Sequence, residues 1–376
     1  MMRTASWIRL LAITAVLAAA CGSVPATGNA PSASPSSLAT TATPTATLPT
    51  STLTPTATTR LALVTLRGSD KLVVRDITNI NHPKTVGNLG TVTPYQAQFV
   101  SATEVSYATD AGLFRMPLTG SPKTLVVKDG GTGDWSPDGK GVVYTTFVSG
   151  NCAGTITVHQ LRAGRDQVLG SVPAGGCGDC QTISNCGFSN YMDFRLLYSP
   201  DGSLISLVTT GFSGSSLRVW SSAGAVLQAD NSRGGTMSAW SGPTLYFRDE
   251  KGVEVWRAGA ISLFLPGVTW IKPRASSAGG QIVYTVRDSG GWGHVRVVDT
   301  TTRKVRELKS ARTDAVFLSS RYVWYQGERA CVASDVCGAR PPFHPLNGKT
   351  YIYDLQTGTE TESIITSVSD VWPHAA

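Results

Sequence analysis

The chain has 376 residues, with 32 Lys and Arg against 25 Asp and Glu, a formal charge of +7. Charged residues make up only 15%, while Gly reaches 39 and Trp 9, which describes a turn-rich, aromatic-rich all-β chain rather than a coiled coil or a cytosolic all-helical protein. No apolar run of about 18 residues follows the N-terminus, so no membrane-spanning helix is expected. The positive excess is spread thinly, without the basic run or helix that a nucleic-acid binder gathers on one face, and no nucleic-acid partner is expected.

Residues 1–20 read MMRTASWIRLLAITAVLAAA, an Arg-bearing start, a short apolar core and a tail of small residues. This is the layout of a secretory signal. Cys21 follows Leu17-Ala18-Ala19-Ala20 directly. The junction resembles a bacterial lipoprotein signal, although the position three before the cysteine is Ala18 where that family usually carries Leu. The resemblance implies that Cys21 is lipidated and becomes the mature N-terminus, anchoring an exported protein that faces the periplasm or the cell exterior. Ordinary cleavage after Ala20, leaving a free thiol, is the alternative. Lipidation would leave six of the seven cysteines, an even number in an exported chain. Residues 22–60, almost wholly Ser, Thr, Pro and Ala, have too little apolar surface to offset chain entropy and are expected to form a disordered tether.

Internal repeats decide the fold of residues 61–376. Asp134-Trp135-Ser136-Pro137-Asp138-Gly139 precedes Val142–Thr145, and Leu197-Tyr198-Ser199-Pro200-Asp201-Gly202 precedes Leu204–Leu207. A strand ending in an aromatic, a Pro-Asp-Gly turn and an alternating strand make a β-hairpin. Weaker copies align on Phe99, Trp240, Trp270, Phe317 and Trp372 as the aromatic that ends a first strand. Second strands follow at 104–107, 141–144, 204–208, 245–247, 282–286 and 322–325. Third strands include 295–299 and 351–354, and fourth strands 123–127, 167–170 and 305–308. The unit at 61–66, 72–76 and 84–89 lacks a first strand, and 367–372 supplies it. The expected architecture is therefore an all-β, seven-bladed propeller closed by the C-terminal strand, with six or eight blades as alternatives. The Ser-Pro-Asp-Gly hairpins resemble the TolB-like propeller repeat of exported bacterial proteins. That resemblance implies the fold and is nearly silent on activity, since propellers host many functions. The separate N-terminal α/β domain of TolB itself is missing from the pattern.

In such a meander, second-to-third turns and inter-blade links share one end of the ring. The long segments 148–154, 172–191, 211–215, 288–293 and 327–348 all fall there, whereas turns such as 136–139, 199–202 and 299–303 occupy the other end. Loops that lengthen on one face of a rigid ring carry binding. All six remaining cysteines lie in these loops. Cys331 and Cys337 are expected to form a local disulfide. Cys152, Cys177, Cys180 and Cys186 are expected to form two more, with three pairings open. A four-sulfur metal site at those last four residues is the sharper alternative, disfavoured by an oxidising setting.

The histidines show no metal-type spacing, no cofactor is expected, and Gly211-Phe212-Ser213-Gly214-Ser215 lacks the strand-turn-helix setting of a nucleophile elbow. No catalytic residues are expected. Phe188, Tyr191, Trp292, Arg340, Phe343 and His344 lie in the elongated loops and are the binding-face candidates, although loop aromatics also serve to pin their own loop. The expected function is a monomeric, non-catalytic binding module for a cell-envelope protein. Binding of cell-wall or extracellular saccharide, or a propeller lyase or hydrolase activity, are the alternatives.

Overall fold

Both Ser-Pro-Asp-Gly segments make the same turn. Ser136 N–H donates to Gly141 O at 2.8 Å, Gly139 N–H to Ser136 O at 2.8 Å and Lys140 N–H to Asp138 Oδ1 at 3.1 Å. The second copy repeats this with Ser199 to Leu204, Gly202 to Ser199 and Ser203 to Asp201 at 2.9, 2.8 and 3.1 Å. Gly139 has φ +65° and Gly202 φ +70°, a conformation that only glycine adopts without penalty. At Gly139 a Cβ would also lie 2.8 Å from Val100 O of the preceding blade.

The computed structural model describes residues 59–374 except 70, 91–95, 110, 132, 149–154, 174–192, 212–213, 235–236, 336 and 338–342. The leader, Cys21, the linker up to residue 58, Cys152, Cys177, Cys180, Cys186, Phe188, Tyr191, Ser213 and Arg340 lie outside the described residues.

Seven four-stranded antiparallel sheets follow one another along the chain. Blade 1 holds β1 (Leu61–Leu66), β2 (Leu72–Asp76) and β3 (Lys84–Gly90). Blade 2 holds β4 (Gln96–Ser101), β5 (Glu104–Thr109), β6 (Gly112–Pro117) and β7 (Thr124–Lys128). Blade 3 holds β8 (Gly133–Trp135), β9 (Gly141–Val148), β10 (Thr155–Arg162) and β11 (Arg165–Pro173). Blade 4 holds β12 (Asp193–Tyr198), β13 (Leu204–Gly211), β14 (Gly214–Ser221) and β15 (Val226–Asp230). Blade 5 holds β16 (Ser238–Ser241), β17 (Thr244–Asp249), β18 (Gly252–Arg257) and β19 (Ala260–Pro266). Blade 6 holds β20 (Ile271–Ala275), β21 (Gln281–Arg287), β22 (Gly293–Asp299) and β23 (Val305–Ser310). Blade 7 holds β24 (Arg312–Phe317), β25 (Tyr322–Glu328), β26 (Leu346–Asp354) and β27 (Glu360–Ser363). The C-terminal β28 (Ile365–Trp372) then pairs with β1, from Leu61 opposite Trp372 to Leu66 opposite Ile365, and closes the ring. Closure pairs the edge of β1 that would otherwise stand open.

The ring aromatics fill the wedges between blades. Phe99, Trp135, Tyr198, Trp240, Trp270 and Phe317 are buried, and Trp372 packs partly buried against the cluster around Phe99. Their polar ends reach back to the previous blade: Trp135 Nε1–H donates to Ser106 Oγ at 2.7 Å, and Trp240 Nε1–H to Ser206 Oγ at 2.9 Å. Large apolar payload and a satisfied N–H in one residue explain why tryptophan recurs here.

Blade 6 departs from the expected alignment. Trp270 precedes β20 rather than ending it, and Ala275 takes the ring position. Ser276 N–H donates to Gln281 O at 2.9 Å just as Ser136 does to Gly141. Trp270 instead donates its indole N–H to Met237 O at 3.1 Å and leans on Tyr284, so a buried tryptophan imitates the repeat marker five positions early. The segment 211–215 is also corrected: β13 runs to Gly211 and β14 starts at Gly214, a tight hairpin rather than a long loop.

Candidate functional site

Two long loops on neighbouring blades brace one another through their described residues. The blade 6 loop runs between Arg287 and Gly293, and the blade 7 loop between Glu328 and Leu346. Between them the imidazole of His344 stacks on the indole of Trp292, with centroids 3.6 Å apart and planes inclined by 14°. The same imidazole faces two carbonyl oxygens, Gly290 O from Nε2 at 3.1 Å and Arg329 O from Nδ1 at 3.2 Å. Two of the sequence-predicted binding residues therefore touch each other, and Trp292 has one face covered.

Beneath this stack lies a buried carboxylate. Glu328, whose side chain has no exposed surface, accepts Gly293 N–H at 2.7 Å and stands 3.0 Å from Arg287 Nη1. A Cβ at position 293 would come within 2.4 Å of Arg312 O, so the glycine after Trp292 is a consequence of blade 7 pressing against it.

The blade 7 loop is tightened further by its own residues. Arg329 forms a two-pronged ion pair with Asp335 at 2.6 and 2.9 Å, which holds the Asp335 carboxyl down to about 2. Val332 N–H also donates to Asp335 Oδ2 at 2.8 Å. The expected disulfide between Cys331 and Cys337 is formed, with Cα atoms 6.3 Å apart.

This braced crest leaves apolar side chains in the open. Val332 is 56%, Phe343 39% and Leu346 47% exposed. The other exposed large aliphatics are dispersed around the rim: Val86, Leu125, Val168, Val226, Leu227, Leu263 and Val305 on the outer strands, with Ile364 just before β28. Those eight are dispersed along separate blades, whereas Val332, Phe343 and Leu346 belong to one segment of blade 7.

A second polar group lines the inner strands, and sequence reasoning missed it. Asp134 of β8 accepts Tyr198 N–H of the next blade at 2.7 Å, and Asp370 of β28 accepts Phe99 N–H at 2.7 Å. Gln98 does the converse, donating Nε2–H to Gly133 O at 2.9 Å. Asp370 also pairs with His374 Nε2 at 2.7 Å. Burial pushes the Asp134 carboxyl up to about 6, with the Tyr198 N–H and the nearby His374 acting against it. Burial works against a protonated His374, but the Asp370 and Asp134 carboxylates outweigh it and raise its pKa. Arg274 of β20 lies partly buried in the same ring, and desolvation lowers its pKa against the pull of Asp370, Asp314 and Asp134.

The clue to these residues is position. Asp134 precedes Trp135 by one and Asp370 precedes Trp372 by two, on strands that face the axis. The alignment on Trp270 hid Arg274 by assigning it to the turn. Among the described residues no three His, Cys, Asp or Glu side chains converge as a set of metal ligands.

His159 and His294 sit on third strands in local networks. His159 meets Thr146 and Asp166, and His294 bridges Asp288 and Glu307.

No family model matches the chain, and no curated protein sequence does. Solved structures do. TolB from Acinetobacter baumannii is 14% identical, covers 84% of this chain and 66% of its own, and superposes with a TM-score of 0.47. A prolyl endopeptidase is 13% identical over 81% of this chain and 48% of its own, with a TM-score of 0.53. A 6-phosphogluconolactonase homologue from Bacteroides fragilis, its activity assigned only provisionally, is 11% identical over 85% of this chain and 98% of its own, with a TM-score of 0.51. The likeness is one of fold. The chain spans about two-thirds of TolB and about half of the prolyl endopeptidase.

Proposed function

We propose that this chain is an exported lipoprotein, anchored through Cys21 and tethered by residues 22–60, whose propeller is a non-catalytic docking module for a protein of the cell envelope. The observation that carries this reading is the crest of blades 6 and 7. Its loops are held by the Trp292–His344 stack, the buried Glu328 and the Cys331–Cys337 disulfide, while Val332, Phe343 and Leu346 face outward. Rigid loops with exposed apolar side chains lose little conformational entropy on binding, which favours affinity. The expected partner presents an apolar pocket for Phe343, since aromatic anchors dominate binding energy. Trp292, stacked on one face by His344, acts as the brace and Phe343 as the anchor.

The test is crosslinking of the tethered protein in its own cells, with mass spectrometry of the joined peptides. A single envelope protein joined through 327–348, and lost in Phe343→Ser, is the expected result. Recovery of glycan-bearing material alone, or crosslinks unchanged by Phe343→Ser, contradicts it.

A further inference from the structure

Three neighbouring inner strands break register at one level of the ring. β20 shifts between Ile271 and Arg274, β24 between Thr313 and Val316, and β28 between Val368 and Asp370. Lys272 (φ +45°) and Asp314 (φ +55°) hold left-handed backbone at the first two breaks. Such backbone is unfavourable for Lys, though better tolerated by Asp, and a strained residue of this kind persists where surrounding structure enforces it, often at ligand sites. Bulges likewise re-aim side chains beside functional sites.

These breaks border one cavity of about 180 Å³, lined by Lys272, Arg274, Asp314, Trp324, Gln326 and Ser367 among others. Lys272 Nζ is engaged by Asp314 Oδ1 at 2.8 Å, across the boundary between blades 6 and 7. Arg274 has no such partner. Among the described residues its guanidinium makes no hydrogen bond or ion pair, and it feels Asp370, Asp314 and Asp134 only at longer range. Two cations against one carboxylate give the lining a net charge of +1.

We propose that this cavity binds a small monocarboxylate, seated on the guanidinium of Arg274 with the Lys272–Asp314 pair as its rim. The planar guanidinium matches a carboxylate through two parallel hydrogen bonds. Asp314, Asp370 and Asp134 surround Arg274 and repel a doubly charged anion such as hydrogen phosphate more strongly than a monocarboxylate. The site is independent of the crest and of the docking reading.

The test is calorimetric and saturation-transfer titration of the full mature chain with acetate and with inorganic phosphate, ionic strength being held with chloride. Acetate is expected to bind in preference to phosphate, and Arg274→Gln to weaken it about tenfold or more, the loss of one charge-assisted pair. Arg165→Gln on the outer strand β11 is expected to change nothing. Arg274→Lys keeps the charge but not the fork, so it is expected to fold and bind acetate more weakly. Asp314→Asn makes the lining more positive and is expected to shift preference toward phosphate. Equal acetate binding in the Arg274 variants, a preference of the native protein for phosphate, or no binding of either anion would each overturn the proposal.

Discussion

In blades 3 and 4 the turns are closed by near neighbours. Ser136 answers Gly141 five positions away, and Asp138 and Asp201 cap amides two positions on. In blades 6 and 7 the loops are closed by residues that the fold alone brings together. Gly293 and Glu328 are 35 positions apart, and Gly290 and His344 are 54. A locally closed turn has several interchangeable supports, so losing one costs little. The remotely closed crest is tied across the two blades at one buried carboxylate, Glu328, as well as by the Trp292–His344 stack, so losing that carboxylate removes a cross-blade tie.

That contrast is sharpest at Glu328. Glu328→Ala leaves the Arg287 charge with only the Gly291 carbonyl and the Gly293 N–H without an acceptor, and is expected to cost about 3–5 kcal/mol in urea unfolding. A loss within about 0.5 kcal/mol, typical of a plain surface substitution, would show that the crest is held elsewhere.

Asp134 sharpens it from the axis. With its folded pKa raised from 3.8 to about 6, the folded protein holds this proton more tightly than the unfolded chain does. The resulting stabilisation is complete below about pH 4 and is lost as pH rises through about 6. Asp134→Asn keeps an acceptor for Tyr198 N–H and removes the charge. It is expected to raise stability at pH 7 by up to roughly 2–3 kcal/mol, with little difference near pH 4. Denaturation curves across that range check the sign, and a variant less stable at pH 7 refutes it.

The double change Cys331→Ser and Cys337→Ser opens a short loop and is expected to cost about 2 kcal/mol, as thermal unfolding in oxidising buffer would show. Smallest of all, Ser199→Ala removes one turn hydroxyl from a redundant network and is expected to cost about 1 kcal/mol by the same assay. A larger effect at Ser199 than at Glu328 would invert the contrast between the two ends.

The same distinction explains what could be read from the sequence. Blade number, ring closure and most strand positions were legible because each blade repeats an aromatic followed by a turn, and both signals are local. The disulfide was legible because its cysteines share one loop. Blade 6 misled because Trp270 is as large and buried as a true ring aromatic, while the true ring position holds Ala275, which carries no signal. Arg274, Asp134, Asp370 and His374 meet only because seven inner strands face one axis, and nothing in their spacing announces that. Trp292 and His344 were picked for composition, but their stacking on each other is a property of adjacent blades.

The docking reading is tested most directly by comparing two positions on one molecule, with a photo-reactive residue placed at Phe343 on the crest or at Val168 on an outer strand. One envelope protein joined at 343 and absent at 168 is expected, with the 343 adduct abolished by Glu328→Ala in any preparation that remains folded. The same adducts from both positions, or adducts at 343 that survive loss of Glu328, would contradict a preorganised docking crest.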